Sequence, residues 1–238
     1  MIIFDEYKHA EKMLVSGFQT SKSNKFELQI LATYFREQGM KNKDIEENLK
    51  KFCKKFMNNY NEVSHYELID QKVKKSKKYK LKRAELIIIT KAELEIISRE
   101  ESLKVRKLMF VYLVLAKYYM SNNHTTKYYV GVEDNEIYKL CDMYMRKQEK
   151  LDFMHYLTKK GYIKPTMNMS SVVNYVNEDS EPIITLIPDN DMVYYYEQYL
   201  GNLFINCSAC GRLVKKRSNN TKYCPECSSK IKNGSIKI

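Results

Sequence analysis

Apolar positions in the first third of the chain recur at helical spacing. Between residues 26 and 38, Leu28, Leu31, Ala32 and Phe35 share one face, and Gly39 follows where a helix would stop. A second stripe places Ile45, Leu49, Phe52, Cys53 and Phe56 together behind Asn42, a residue suited to cap a helix start. Ser64-His65-Tyr66-Glu67 has the form of a capping box and opens a third helix that runs into a lysine block. Residues 1–20 carry a weaker amphipathic pattern. Together these stretches predict a small helical domain over 1–84.

The pattern changes after residue 85. Leu86-Ile87-Ile88-Ile89 reads as a buried strand, followed by a second capping box, Thr90 with Glu93. Ser98 with Glu101 is expected to start the most hydrophobic helix, through Val105, Leu108, Met109, Leu113 and Ala116. A short strand at 128–132 comes next, then a helix capped by Asp134 that carries Ile137, Leu140 and Cys141. Another helix, 146–160, is expected to bury Leu151, Met154 and Leu157 and to stop at Gly161. Residues 162–166, 172–176 and 183–187 are strand-like.

That order, helix, strand, helix, helix, hairpin, resembles a winged helix-turn-helix. The stretch from Lys150 through Gly161-Tyr162-Ile163 carries most of the resemblance, which covers roughly residues 90–188. It implies that the helix at 146–160 lies in a DNA major groove, with Arg146, Lys147, Gln148 and Lys150 outward, and that a wing begins at Gly161. Some winged helices bind proteins instead, and that alternative stays open.

The charge is uneven. The net charge is +12. Residues 71–83 hold eight bases and no acid, and residues 201–238 hold eight bases against Glu226 alone. These two clusters carry more than the whole excess, a distribution that favours polyanions over small neutral ligands. In the first cluster Lys74, Lys75, Lys77 and Lys78 are candidate phosphate contacts, although a lysine run is also commonly a solvated helix end. Lysine far outnumbers arginine, which suits phosphate contact more than guanine reading, or reflects an AT-rich genome.

The sharpest motif is C-terminal. Cys207-Ser208-Ala209-Cys210 and Cys224-Pro225-Glu226-Cys227 are two Cys-x-x-Cys pairs with thirteen residues between them. A two-residue gap turns both thiolates of a pair toward one ion, and two pairs complete a tetrahedral sulfur shell. The segment 205–230 looks like a zinc ribbon, which implies one structural zinc; iron is the minor alternative. Residues 212–217 and 222–224 are expected to form the arms of a hairpin around Ser218-Asn219-Asn220-Thr221. Its basic residues Lys215, Lys216, Arg217 and Lys222, with no acid in the hairpin, read as a phosphate-contacting tip. Cys53 and Cys141 fall on apolar faces and read as core. Tyr194, Tyr195, Tyr196 and Tyr199 crowd a link at 191–204, where packing of a short helix is favoured over base stacking.

No phosphate loop, zincin motif or nucleophile elbow occurs. Asp70 with Lys72, and Asp189 with Asp191, are weak matches to catalytic acid patterns. No signal peptide and no membrane-length apolar run is read, so a cytoplasmic location is expected. The fold class expected is α+β, mostly α: a helical domain (1–84), a winged-helix-like domain (85–190), the tyrosine-rich link (191–204) and a zinc ribbon (205–238). The expected function is a non-enzymatic zinc protein that binds nucleic acid, DNA more than RNA, as a phage or mobile-element transcription or replication regulator. It would have no membrane partner and no small-molecule substrate. The alternative is a phage-encoded inhibitor of a host nucleic-acid enzyme or CRISPR effector, in which case the partner is a host nucleoprotein complex.

Overall fold

The computed structural model describes residues 2–20, 24–123, 125–167 and 170–233. The fold is α+β and mostly α, and the chain divides into two units, Ile3–Ala84 and a second that begins at Glu85.

Four helices make the first unit: α1 (Glu6–Ser16), α2 (Asn24–Glu37), α3 (Asn42–Phe56) and α4 (Tyr66–Lys75). The stripes of α2 and α3 are buried together, with Ala10 and Met13 of α1 and Ile69 and Val73 of α4 closing the core. Gly17 ends α1 at φ +80°, where a Cβ would sit 2.7 Å from the Phe56 ring. Buried Glu27 ties α1 and the following loop to α2, accepting from His9 Nε2 at 2.8 Å and from the Gln19 N–H at 2.9 Å.

Two expected caps are absent here. Asn42 is the first residue of α3 and accepts from Arg36 instead, while Lys41 takes the cap position with its N–H on Asp44. Ser64 does not cap α4: the Asn61 side chain takes the N–H groups of Val63 and Ser64, and the Ser64 hydroxyl turns back to the Asn61 carbonyl. A local side-chain turn upstream has won over the capping box. Helix α4 runs into the lysine block as expected, taking in Lys72, Lys74 and Lys75, and ends at Lys75, so the rest of the block lies beyond the helix. Ser76 is buried there and its hydroxyl donates to the Val73 carbonyl at 2.7 Å. A turn over 76–78 follows, and the chain beyond it is held by Glu6 on the Lys82 N–H and by Glu37 on the Leu81 N–H and Arg83.

The second unit is built on β1 (Ile87–Thr90), α5 (Lys91–Ser98) and α6 (Leu103–Asn123). Thr90 and Glu93 form the expected capping box. Ser98 does not open α6; it closes α5, its hydroxyl bonded to the Glu95 carbonyl, and α6 begins five residues later. Every residue of α6 from Leu108 to Tyr118 is buried, the signature of a helix at the centre of a core rather than on its surface. No helix among the described residues is long and apolar enough to cross a membrane.

Around α6 lie β2 (Tyr129–Val130), α7 (Asp134–Leu140), α8 (Lys147–Lys159), β3 (Ile163–Pro165), β4 (Ser171–Val173) and β5 (Pro182–Leu186). Strand β5 returns to pair antiparallel with β1, Ile87 opposite Leu186. The other three form an antiparallel sheet in the order β2-β4-β3, with Tyr129 opposite Val172 and Ile163 opposite Val173. Cys53 and Cys141 are core as expected, and burial pushes both thiols up.

Helix α8 departs from expectation. Leu157 is fully buried and Met154 half-buried, but Leu151 is 53% exposed. Tyr138 of α7 occupies the core side of the first turn of α8 and donates its hydroxyl to the Lys150 carbonyl, so Leu151 faces outward.

The chain ends in α9 (Val193–Tyr199), β6 (Phe204–Asn206), β7 (Leu213–Lys215) and α10 (Pro225–Lys232). Helix α9 packs on α6 through Tyr196, whose ring stacks on Phe110 at 5.1 Å.

Candidate metal centre and nucleic-acid surface

Strand β6 delivers Cys207 into a tight knuckle. The Cys207 N–H donates to the Arg212 carbonyl and the Gly211 N–H to the Cys207 carbonyl, both at 2.8 Å, and Gly211 supplies the positive φ of +73° that closes the turn. Chain then leaves along β7, antiparallel to β6 with Ile205 opposite Val214. The expected hairpin arms are therefore corrected: β7 pairs with β6, not with 222–224. Instead the Lys222 carbonyl crosses to the Ser208 N–H at 3.0 Å, which brings the second pair back to the first. Cys224 caps α10, with Pro225 in its first turn and Cys227 one turn on.

The result is a four-sulfur cluster. The thiols of Cys207, Cys210, Cys224 and Cys227 all lie within 4.8 Å of one another. Cys210 and Cys224 are 3.8 Å apart, unbonded, and none of the four is in a disulfide. A tetrahedral thiolate shell with ~2.3 Å metal–sulfur bonds needs sulfurs ~3.8 Å apart, so the residues fit a metal ion of that kind. Cys207, Cys224 and Cys227 are buried, with Val214 and Tyr223 packed against them, and Cys210 faces solvent. Backbone donors are aimed at sulfur: the Cys224 N–H at Cys207 Sγ, 3.2 Å, and the Cys227 N–H at Cys224 Sγ, 3.3 Å. Burial alone would push the Cys207 thiol up, but N–H groups of Cys224, Ala209 and Cys210 hold it at about 6. Cys227 is pushed up to about 12 by its hydrogen bond with Cys224 and by burial. Four thiolates this close repel one another unless a cation sits among them.

The basic residues near the cluster are not bare. Lys215 meets Glu197 of α9 at 3.5 Å, and Arg212 meets Asp191 at 3.5 Å and Glu226 at 3.6 Å. Glu197 also pairs with Lys107 of α6. The reading of a hairpin without compensating acid is thus corrected: Glu197 and Asp191 arrive from α9 and its approach, distant in sequence, and Glu226 from α10. Arg217 and Lys222 remain exposed, Lys216 is half-buried, and Arg217 has no acidic partner among the described residues. The Ser218–Thr221 turn between them is closed by the Ser218 N–H on Thr221 Oγ1 at 3.0 Å.

On α8, Arg146, Lys147 and Gln148 are exposed. Gln148 donates to Asp152 at 2.9 Å. Lys150 is half-buried, and its ammonium donates to Asn135 Oδ1 at 2.7 Å in an exposed contact on the α7 side. In the first unit, Lys74 is paired with Asp70 at 2.7 Å, whereas Lys75, Lys77 and Lys78 are exposed and without an acid among the described residues. Burial, then repulsion from Lys75 and Lys25, lowers the Lys72 ammonium pKa, a sign of crowded positive charge. Asp189 accepts the Asp191 N–H at 2.8 Å, and burial raises both carboxyls.

Two features were not anticipated. Leu151 and Met154 line a groove of about 860 Å³ between α8 and the β3–β4 hairpin, edged by Glu133, Asp134 and Lys147. A smaller pocket of about 400 Å³ lies beside the sulfur cluster. Its Tyr223 sits between Lys222 and Cys224, an aromatic among bases that was the available signal.

No family model matches the chain, and comparison with curated proteins and with solved structures finds no match.

Proposed function

We propose that this chain is a non-enzymatic, zinc-containing nucleic-acid-binding protein that engages duplex DNA through α8, in a transcriptional or replicative role. The observation that carries the reading is the arrangement around α8. A helix, strand, helix, helix, hairpin succession with strands in the order β2-β4-β3 leaves the first turn of α8 outward, presenting Arg146, Lys147 and Gln148. The unpaired Lys75, Lys77 and Lys78, at the end of α4 and in the turn beyond it, support it, since a cluster of free cations favours polyanions. Four cysteines with no open coordination position support a structural zinc.

The test is anisotropy with a random-sequence duplex at low salt, comparing the native chain with Arg146→Glu/Lys147→Glu. Both side chains are exposed, so folding is unaffected and duplex affinity falls at least tenfold. Unchanged affinity overturns the assignment of α8.

A second reading has its own support. An exposed leucine beside Met154 in a groove suits an apolar side chain of a protein partner better than a phosphate backbone. In that case the chain acts as an inhibitor docked on a nucleic-acid enzyme, and Leu151→Asp abolishes capture of that enzyme while leaving duplex affinity intact.

A further inference from the structure

The tyrosine-dense link divides when it folds. Tyr196 turns inward onto Phe110, and Tyr194, on another face of the same short helix, packs against Phe204 at 5.3 Å and lines the pocket beside the sulfur cluster. Opposite elements bring Tyr223, Arg212, Lys215, Arg217 and Thr221 to that pocket. Two aromatic rings, three cations and a hydroxyl therefore converge on about 400 Å³, a volume within the range of small-ligand sites, and the two acids of the lining, Asp191 and Glu226, are both engaged by Arg212.

The cations differ in availability. Arg212 is held between Asp191 and Glu226 and forms a fixed wall. Lys215 has a single long contact to Glu197, and Arg217 has no acidic partner among the described residues. Tyr223 packs against the buried cysteines Cys207, Cys224 and Cys227.

We propose that this pocket holds one unpaired nucleotide of a single strand, its base against the Tyr194 and Tyr223 rings and its phosphate on Arg217 and Lys215. A base in a duplex is stacked and paired and cannot enter such a slot, whereas an unpaired base offers a free face to tyrosine and a phosphate within reach of arginine. Exposed Lys222 and half-buried Lys216 continue the positive track for neighbouring phosphates. The inference rests on the nucleic-acid reading but assigns the C-terminal module a different substrate from that of α8: single strand rather than duplex.

The experiment uses the full chain with its metal content measured. Three fluorescent probes are titrated, a twelve-nucleotide oligo(dT), the same length of oligo(U), and a random duplex. The variants are Tyr194→Leu, Tyr194→Phe and Arg217→Gln. Tyr194→Leu and Arg217→Gln weaken binding to at least one single strand tenfold or more and leave duplex affinity unchanged, and Tyr194→Phe, which keeps the ring, stays within twofold of the native chain. The dT and U arms decide which sugar the slot accepts. Because Arg217 is exposed, its replacement tests the slot even where Tyr194→Leu disturbs packing on Phe204. Equal single-strand affinity for the native chain and Arg217→Gln overturns the proposal, as does a Tyr194→Phe loss as large as that of Tyr194→Leu. Duplex binding with no single-strand binding overturns this inference alone. Single-strand binding that depends on Tyr194 and Arg217, without duplex binding, overturns the α8 reading alone.

Discussion

Lys117 and Glu93 form a buried ion pair, 2.9 Å apart, at the centre of the second unit. The ammonium also donates to the Ile88 carbonyl at 2.7 Å, and the carboxylate takes the N–H groups of Thr90 and Asn177, each at 2.9 Å. One contact set thus joins β1, α5, α6 and the segment after β4. It also explains how a lysine survives in the most apolar helix of the chain: its charge is matched and its protons have acceptors.

Removing one partner strands the other. Lys117→Met leaves Glu93 charged and buried, and the second unit should lose about 3–5 kcal/mol. The double variant Lys117→Met/Glu93→Gln should recover much of that loss, because no uncompensated charge remains. Urea unfolding of the native chain and both variants, followed by near-ultraviolet circular dichroism, checks this. A double variant no better than the single one would mean that the hydrogen bonds to Thr90 and Asn177, not the charge match, carry the stability.

Gly17 makes a sharper packing prediction in the first unit. Alanine there meets both a left-handed φ of +80° and the Phe56 ring at 2.7 Å. Gly17→Ala should cost about 1–3 kcal/mol, since a strained backbone and an overpacked contact act together. Gly39 has φ +82° but open space around it, so Gly39→Ala isolates the backbone contribution and should cost less. Thermal melts of the two variants compare the sites directly; equal losses would show that Phe56 simply moves aside.

These contrasts indicate what could be read before folding. The apolar stripes of α2, α3 and α6, the Thr90–Glu93 box and both cysteine pairs were legible because each is a local pattern, set within one or two helical turns. The failures were competitions. Ser64 lost its cap to Asn61, three residues upstream, and Leu151 lost its core position to Tyr138, which a periodicity count cannot see. The acids on Lys215 and Arg212 come from Glu197 and Asp191, eighteen and twenty-one residues back, so the charge of the hairpin alone misjudged how bare it is.

Metal removal should separate the C-terminal module from the rest. Elemental analysis of protein prepared without chelator is expected to find one zinc per chain on Cys207, Cys210, Cys224 and Cys227. Metal binding supplies the folding energy of such small modules. Chelation, or Cys210→Ser, should therefore expose the β6–β7 region to proteolysis while α1–α4 stay folded. Cys210 is the exposed member of the cluster, so its replacement removes a ligand with little loss of packing. Absence of a stoichiometric metal from the native chain prepared without chelator would rule out the four-sulfur site.

The lysines at the end of α4 and in the turn beyond it give the last test. Lys75, Lys77 and Lys78 are exposed and without acids among the described residues, whereas Lys74 is neutralised by Asp70. Each duplex phosphate neutralised contributes about −0.9 to the slope of log K against log salt. If all three engage the backbone, changing them to Gln should flatten the slope by about 2.7 and weaken binding to every sequence alike. Lys74→Gln should flatten it far less, because its charge is already balanced. The comparison within one cluster matters: a solvated helix end predicts no change in slope for either variant, and general net-charge attraction predicts the same effect for each lysine lost. Only direct contact makes Lys75, Lys77 and Lys78 differ from Lys74. An affinity series from low to physiological salt on the native chain and both variants distinguishes the three cases.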